Sequence, residues 1–450
     1  MTLLSVDAVL GLLFALIQFR LRSLFSVSAY ILKDLIILLP PTTNEQITTA
    51  KQPLQLKWEC IRASIGSFQQ IAYYDMYEYF IIMSVSLIAM TLFQYLKSVF
   101  VTVEATASYG MWTLLLISLM FPVQMNRLQF TQSKAYDTQQ YISIGIAIIG
   151  AILSLFVIFA PPFWFDFNME NCIQSLCDQV HALSRELRLE NSESEWKLWA
   201  HVIRLLSVAL TTVFAGLIAF ISFEPALQMA KFYHFYTRKN TISIGVVESL
   251  LLALHGLLPL VVNLSWISFI SDTAECFMDK STWHSVRIGL VFAFILSRFL
   301  LFRFHSQWFL LEPRNTSPLL DDSNALLRTQ TNVKLHFNFF PMFVVQYLSL
   351  STALLAACCM WKTQLSLFGG TNVQAQVLGS SEIGFLTKKA LQFTFVPPSA
   401  YRSLAGFAIW WMTFIWMWQL FGAFCYCLTP SKTIPAKRAP KRKSGKKKRI

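Results

Sequence analysis

Residues 141–160 read YISIGIAIIGAILSLFVIFA, twenty consecutive residues without a charge. The hydrocarbon core of a bilayer is about 30 Å thick, so a helix needs about 20 apolar residues to cross it. A helix also satisfies its backbone hydrogen bonds within one segment, which is required where there is no water. This stretch therefore predicts a membrane-spanning helix.

Eight further segments have a similar length and apolar character, and they lie on both sides of this stretch. With it, in chain order, they are residues 3–19, 77–96, 109–125, 141–160, 198–223, 242–270, 286–304, 337–361 and 404–427. Only 14% of the 450 residues are charged, whereas about 25% are charged in a typical soluble domain. We therefore predict an all-α, polytopic membrane protein with about nine transmembrane helices in residues 1–427.

The charges in the connecting segments predict a topology. Basic residues follow the odd-numbered spans, while residues 163–197 are acidic. The positive-inside rule then places the N-terminus outside or in a lumen, and residues 20–76 and 428–450 in the cytosol. The apolar segment 24–39 contains two charges, which predicts a helix in the membrane interface. Asp7 and the lack of a preceding cation favour a signal anchor, whereas a cleaved signal peptide would leave eight spans.

The last 20 residues carry ten lysines and arginines and no acid. Their composition predicts disorder. A polybasic segment beside a membrane helix is typical of contact with anionic lipids. Lys447 and Lys448 also fit a dilysine retrieval signal, which would be recognised by a trafficking coat. In a soluble protein such a run indicates nucleic-acid binding, but beside a membrane span we expect no nucleic-acid partner.

Among the polar residues inside the predicted spans, five are candidates for a functional site: Asp7, Glu248, His255, Arg298 and Gln346. An ionisable group inside the membrane is costly and is a candidate functional site by default. Glu248 and Arg298 lie in adjacent antiparallel spans and could form an ion pair. Alternatively, Glu248 lies in the interface, and Arg298 pairs with another carboxylate or extends to the headgroups.

The seventh span contains the pattern R-x10-R-x4-R-x-H-x-Q, formed by Arg287, Arg298, Arg303, His305 and Gln307. We expect Arg303, His305 and Gln307 to form a basic rim in the cytosolic headgroup layer. The pattern resembles the corresponding helix of the transmembrane protein 161 family, whose vertebrate members are called A and B.

Further segments carry the same resemblance, which runs from the fifth span to the ninth. FISFEPALQMA at 220–230 and LHGLLPLVVNLSW at 254–266 are similar to family segments. Glu224 and the lysine-rich tail depart from the family pattern. A divergent homologue is therefore expected.

The resemblance implies a non-enzymatic protein that regulates potassium and calcium currents, cardiac or neuronal rhythm and oxidative-stress responses, with ion channels as possible partners. The alternative is a transporter or channel with a polar site among spans one, six, seven and eight. The sequence shows no HExxH, GxSxG or phosphate-binding motif and no zinc-ligand spacing. We therefore predict no catalytic residue, cofactor or metal, and a location in the endoplasmic reticulum, secretory pathway or plasma membrane.

Overall fold

The structure is a computed structural model that describes residues 6–21, 26–40, 42–43, 56–100, 109–132, 137–186, 193–239, 245–316, 323–368 and 398–428. Its helices are α1 (Val6–Leu21), α2 (Val27–Leu32), α3 (Tyr74–Phe100), α4 (Tyr109–Gln132), α5 (Asp137–Ile158), α6 (Met169–Glu186), α7 (Glu193–Lys239), α8 (Val246–Ser265), α9 (Ser268–Glu275), α10 (Lys280–Thr316), α11 (Ser323–Phe368) and α12 (Pro398–Leu428). Its strands are β1 (Ile36–Leu38), β2 (Thr42–Thr43), β3 (Leu56–Lys57) and β4 (Cys60–Arg62).

Seven of the described helices are long and apolar enough to cross a membrane: α3, α5, α7, α8, α10, α11 and α12. This confirms the predicted class, an all-α membrane protein. The helices at the predicted first and third spans, α1 and α4, do not meet the same standard. Within α1, the described side chains cover Gly11–Arg20, an apolar segment shorter than a span. The second half of α4 carries polar residues, among them Asn126, Arg127 and Gln129.

The predicted sixth span, residues 242–270, is broken in the structure. Helix α8 ends at Ser265 and α9 begins at Ser268. The chain between them is held by the loop before α6: the amide of Ser268 donates to the carbonyl of Trp164, and the amide of Asp166 donates to the carbonyl of Trp266. The break is therefore caused by a tertiary contact that local hydropathy does not encode.

The segment 24–39, predicted as one interfacial helix, forms a short helix and a strand. Helix α2 ends at Leu32, and Asp34 adopts a left-handed conformation with φ 64°. Strand β1 then pairs with β4 in antiparallel register, with Ile36 opposite Arg62. The charged Lys33–Asp34 pair is thus the turn between the two elements.

Helix α11 lies at the centre of the bundle and packs on α4, α10 and α12. Helix α5 lies at the periphery, and its exposed face carries large apolar residues such as Ile148 and Phe156. It approaches α7 through small residues, since a Cβ on Gly150 would lie 2.6 Å from the Cβ of Ala219. Small residues at helix contacts are typical of membrane bundles.

The two ends of the bundle contain different elements, and we call them the α6 end and the β1 end. The α6 end contains α6, α9 and the start of α10. The β1 end contains β1, β4 and the end of α10, whose Gln307 side chain contacts β1.

Candidate functional site: a polar stripe on helix α10

Of the five buried ionisable residues of α10, four repeat at whole helical turns along one face, and the fifth is His284. Arg287, Arg298, His305 and Glu312 are between 0% and 8% exposed. They are separated by eleven, seven and seven residues, which are close to three, two and two full turns of an α-helix. They therefore share one face over about 37 Å, at about 1.5 Å per residue. We call these four residues the polar stripe.

At the α6 end of the stripe, Arg287 has a carboxylate partner, although its Nε has no described hydrogen-bond partner. Its guanidinium forms an ion pair with Asp166 and donates to the hydroxyl of Ser271 at 2.7 Å. The same group lies 5.0 Å from the ring of Trp266 and 5.2 Å from that of Trp283. Carboxylate, hydroxyl and aromatic faces together compensate the buried cation.

In the middle of the stripe, Arg298 is held without a carboxylate. Its Nε donates to the hydroxyl of Ser351 at 3.0 Å, and its Nη2 donates to the carbonyl of Tyr347 at 2.7 Å. The guanidinium lies 4.0 Å from the ring of Trp416. Among the described residues, no acid forms an ion pair with Arg298. The described groups that compensate the charge of Arg298 are therefore a hydroxyl, a carbonyl and aromatic rings.

Two histidines flank this arginine, and their hydrogen bonds define their tautomers. The Tyr347 hydroxyl donates to the carbonyl of Arg298 at 2.8 Å, so it accepts from Nδ1 of His305 at 3.0 Å. The Ser297 hydroxyl donates to the carbonyl three residues earlier, so it accepts from Nδ1 of His255 at 2.8 Å. Each Nε2 is then a bare acceptor.

These acceptors and one donor of the arginine lie in the same part of the bundle. The rings of His255 and His305 are 6.3 Å apart. Nε2 of both histidines and Nη1 of Arg298 are buried and have no described hydrogen-bond partner. Two acceptors and one charged donor thus remain available in the interior of the protein.

At the β1 end of the stripe, Glu312 is paired. It accepts from the ammonium of Lys231 on α7 at 2.8 Å, and Nε2 of His336 lies 3.7 Å from its second oxygen. Glu224, the residue that departs from the family pattern, lies one helical turn from Gln228 and accepts a hydrogen bond from it at 3.0 Å. Both ends of the stripe are therefore ion-paired and the middle is not.

The structure brings some of the predicted intramembrane residues together and separates others. His255 and Arg298 meet in the centre, whereas Gln346 lies elsewhere and donates to Asn126 on α4. Glu248 accepts from the amide of Gly245 at the start of α8 at 2.8 Å, so of the two alternatives the ion pair with Arg298 is not formed. The backbone of Asp7 belongs to α1, and its side chain lies outside the described part.

The predicted rim of three residues does not form a common surface. Arg303 is exposed, whereas His305 is 3% exposed and faces Tyr347. The Gln307 amide forms two hydrogen bonds with the backbone of Ile36, accepting at 2.8 Å and donating at 3.0 Å. Successive residues of a helix point in different directions, so His305 follows Arg298 inward while Arg303 does not.

Sequence reasoning missed the aromatic and hydroxyl partners of Arg298, which lie on α11 and α12. It also missed the pair of Lys231 and Glu312. The spacing of eleven, seven and seven was a usable signal for the stripe itself, because it matches whole helical turns. Lys447 and Lys448 lie outside the described residues.

Three cysteines at the α6 end are free thiols. Cys172 and Cys177 are both buried on α6, and Cys276 is exposed. Burial raises the pKa of the Cys172 thiol to about 12 and also raises the pKa of Cys177. Both thiols are therefore protonated and inert near neutral pH.

Across the described residues, no group of three or more His, Cys, Asp or Glu side chains has the geometry of a metal site. Comparisons with known proteins found no match: no family model, no curated protein and no solved structure matches this chain.

Proposed function

We propose that this chain is a non-enzymatic, multi-pass membrane protein that controls ion movement across its membrane, and that the polar stripe is the part on which this depends. The observation that carries the proposal is the buried guanidinium of Arg298, which has no described carboxylate partner. Charges inside a membrane bundle are rare and mark ion pathways, relays and sensors.

A purely structural role explains Arg298 poorly. A neutral glutamine could also donate to a carbonyl and a hydroxyl, and it would not bring an uncompensated charge into the bundle. The positive charge therefore serves something other than helix packing. Electrostatic control of a permeating or gating charge is such a role, because a fixed charge acts strongly at low dielectric.

The first form of the proposal is a regulator that acts on separate potassium or calcium channels, as the family resemblance implies. The packing of the centre supports it. Arg298 lies between the rings of Trp416 and Tyr347, at 4.0 and 4.5 Å, and α11 is mostly buried around it. A centre filled in this way holds a charge without offering it a wide passage.

The second form is a transporter or channel in its own right. The available acceptors of His255 and His305 and the available donor of Arg298 support it. A water molecule satisfies this set, since it donates twice and accepts from the guanidinium. Bound water and titratable side chains are the parts from which intramembrane proton relays are built.

The two forms are distinguished by purified protein in liposomes and by co-expression with channels. Arg298→Gln removes the charge but keeps a hydrogen-bond donor, and Arg303→Gln removes an exposed charge five residues away on the same helix. A transporter gives ion or proton flux that Arg298→Gln lowers at least about tenfold. A regulator gives no flux, and co-expressed potassium or calcium currents change with the native protein but not with Arg298→Gln.

The matched control decides whether the stripe is responsible. Arg303→Gln should behave as the native protein in both assays. Equal loss in both variants would assign the effect to helix charge in general. Unchanged flux and unchanged currents in Arg298→Gln would overturn the proposal.

The location and topology form a separate part of the proposal. We propose nine spans, with α1 and α4 included, the α6 end outside or lumenal, and the basic tail on anionic lipids in the cytosol. Replacing Lys447 and Lys448 with serine tests retrieval by a trafficking coat. Release from the endoplasmic reticulum to the plasma membrane is expected, and an unchanged location would refute the signal.

A further inference from the structure

A pocket of about 260 Å³ opens at the α6 end of the bundle, apart from the centre around Arg298. Its floor contains buried residues and its rim contains exposed charges. The floor is lined by the buried residues Trp266, His284 and Arg287 and by the half-buried Arg402, and the rim by Asp272, Glu275 and Lys280.

The floor offers N–H donors. Arg402 donates to Nε2 of His284 at 2.6 Å, so the second ring nitrogen, Nδ1, carries the hydrogen of the neutral ring. This Nδ1, Nε of Arg287 and the indole nitrogen of Trp266 are buried and have no described partner. His284 and Arg287 are 6% and 1% exposed. Three unsatisfied donors beside a second arginine suit an anionic group.

The charges of the two arginines in the floor also favour an anionic ligand. Arg287 is already paired with Asp166. Arg402 is not in an ion pair with any acid of the described residues. It contacts His284 and lies 5.4 Å from the ring of Trp361. Its positive charge therefore remains available to a ligand that enters the pocket.

The rim offers the opposite charge. Glu275 and Lys280 form a loose ion pair at 3.8 Å. The carboxylate of Asp272 is exposed and forms no ion pair with a described cation. An ammonium group at the mouth of the pocket would be attracted to Asp272 and, in addition, to Glu275.

We propose that this pocket binds a small zwitterion, with its anionic group on the donors of the floor and its ammonium group at Asp272. The chemistry is shared by the ethanolamine headgroup of a phospholipid and by a free solute of amino-acid size. Trp266 and Trp361 line the pocket, and tryptophan favours the headgroup layer of a membrane. The site shares Arg287 with the polar stripe, but it lies apart from Arg298, whose charge carries the proposed function, so ligand binding here does not rest on that function.

The test uses the full chain, purified in detergent, with phosphoethanolamine and inorganic phosphate as probes. The two differ by an ethanolamine group that carries the ammonium. In calorimetric titration we expect phosphoethanolamine to bind about tenfold or more tightly than phosphate, a difference of about 1.4 kcal/mol. Asp272→Asn should remove that difference and leave phosphate binding unchanged. Arg402→Gln should weaken both probes by about tenfold.

Two controls make the result interpretable. Asp178→Asn removes an exposed acid of α6 that does not line the pocket, and it should leave both affinities unchanged. Arg402→Lys keeps the charge and should bind more tightly than Arg402→Gln, which distinguishes lost charge from a damaged fold. No binding of either probe, equal affinities for the two probes, or equal effects of Asp178→Asn and Asp272→Asn would each overturn the proposal.

A second measurement identifies the source of the ligand. The protein is placed in nanodiscs with phosphatidylethanolamine or with phosphatidylglycerol and then released for native mass spectrometry. Retention of phosphatidylethanolamine by the native protein, with loss in Arg402→Gln, supports a lipid headgroup. Binding of phosphoethanolamine without any retained lipid supports a free solute.

Discussion

Arg287 and Arg298 lie on the same face of one helix, three turns apart, and both are almost completely buried. Arg287 has a carboxylate partner, Asp166, in the loop before α6. Arg298 has a hydroxyl, a carbonyl and aromatic rings. Position explains the difference: a loop can reach the α6 end of α10, whereas only other helices surround its middle.

The two arginines therefore have different roles, although they look equivalent in the sequence. An ion pair at the end of a helix fixes the loop that supplies the acid. An unpaired cation in the centre adds little to packing and leaves a charge available for function. We therefore expect substitutions at the two arginines to differ in their effects on stability and on activity.

The largest loss of stability is expected for Arg287→Met. It leaves the Asp166 carboxylate without its cation and removes the bond to Ser271. Breaking a buried pair by removing one partner costs about 3 kcal/mol, and Asp166 is itself 21% exposed, which keeps the loss at about this value or below. Unfolding in mixed detergent micelles measures the change.

The double variant Arg287→Met with Asp166→Asn is the control for that prediction. It removes the orphaned charge and should recover a large part of the lost stability, because the two positions are coupled. If the double variant is as unstable as the sum of the two single variants, the ion pair does not explain the role of Arg287.

A smaller loss is expected for Ser351→Ala. The hydroxyl of Ser351 accepts from Nε of Arg298 at 3.0 Å, and a hydrogen bond to a charged group contributes about 1.5 kcal/mol. Ser349→Ala is the matched control, because this buried serine on the same helix donates to the carbonyl of Gln346 instead. A loss no larger than that of Ser349→Ala would mean that Arg298 does not depend on this partner.

Arg298 of the stripe and the neighbouring His255 could be predicted as intramembrane polar residues, but their partners could not, and Glu312 was not predicted as a site residue. Hydropathy and charge identified Arg298 and His255 as polar residues inside spans, because such residues stand out in an apolar run. The identity of the partners depends on which helices are neighbours, and this is a property of the whole bundle. Ser351 and Trp416 lie on two other helices, and nothing in their local sequence indicates that they contact Arg298.

Each wrong prediction has a specific physical cause. The break after Ser265 depends on contacts with Trp164 and Asp166, about 100 residues away in the chain. His305 was placed with Arg303 because the two are close in sequence, although helix geometry turns them to different faces. A count of helical turns from Arg298 would have placed His305 inside.

The smallest change in stability is expected for Arg298→Met, the counterpart of the first variant. Methionine fills a similar volume, removes a buried charge and leaves no acid behind among the described residues. Ser351 can then donate to a carbonyl of its own helix, as serines do elsewhere in this bundle. Replacing a buried charge with an apolar side chain is often neutral, so we expect a change within about 1 kcal/mol. Unfolding in the same micelles as Arg287→Met checks this. Flux and channel currents should nevertheless change as for Arg298→Gln. A loss of stability as large as that of Arg287→Met would mean that both arginines hold the fold together, and the distinction between them would be wrong.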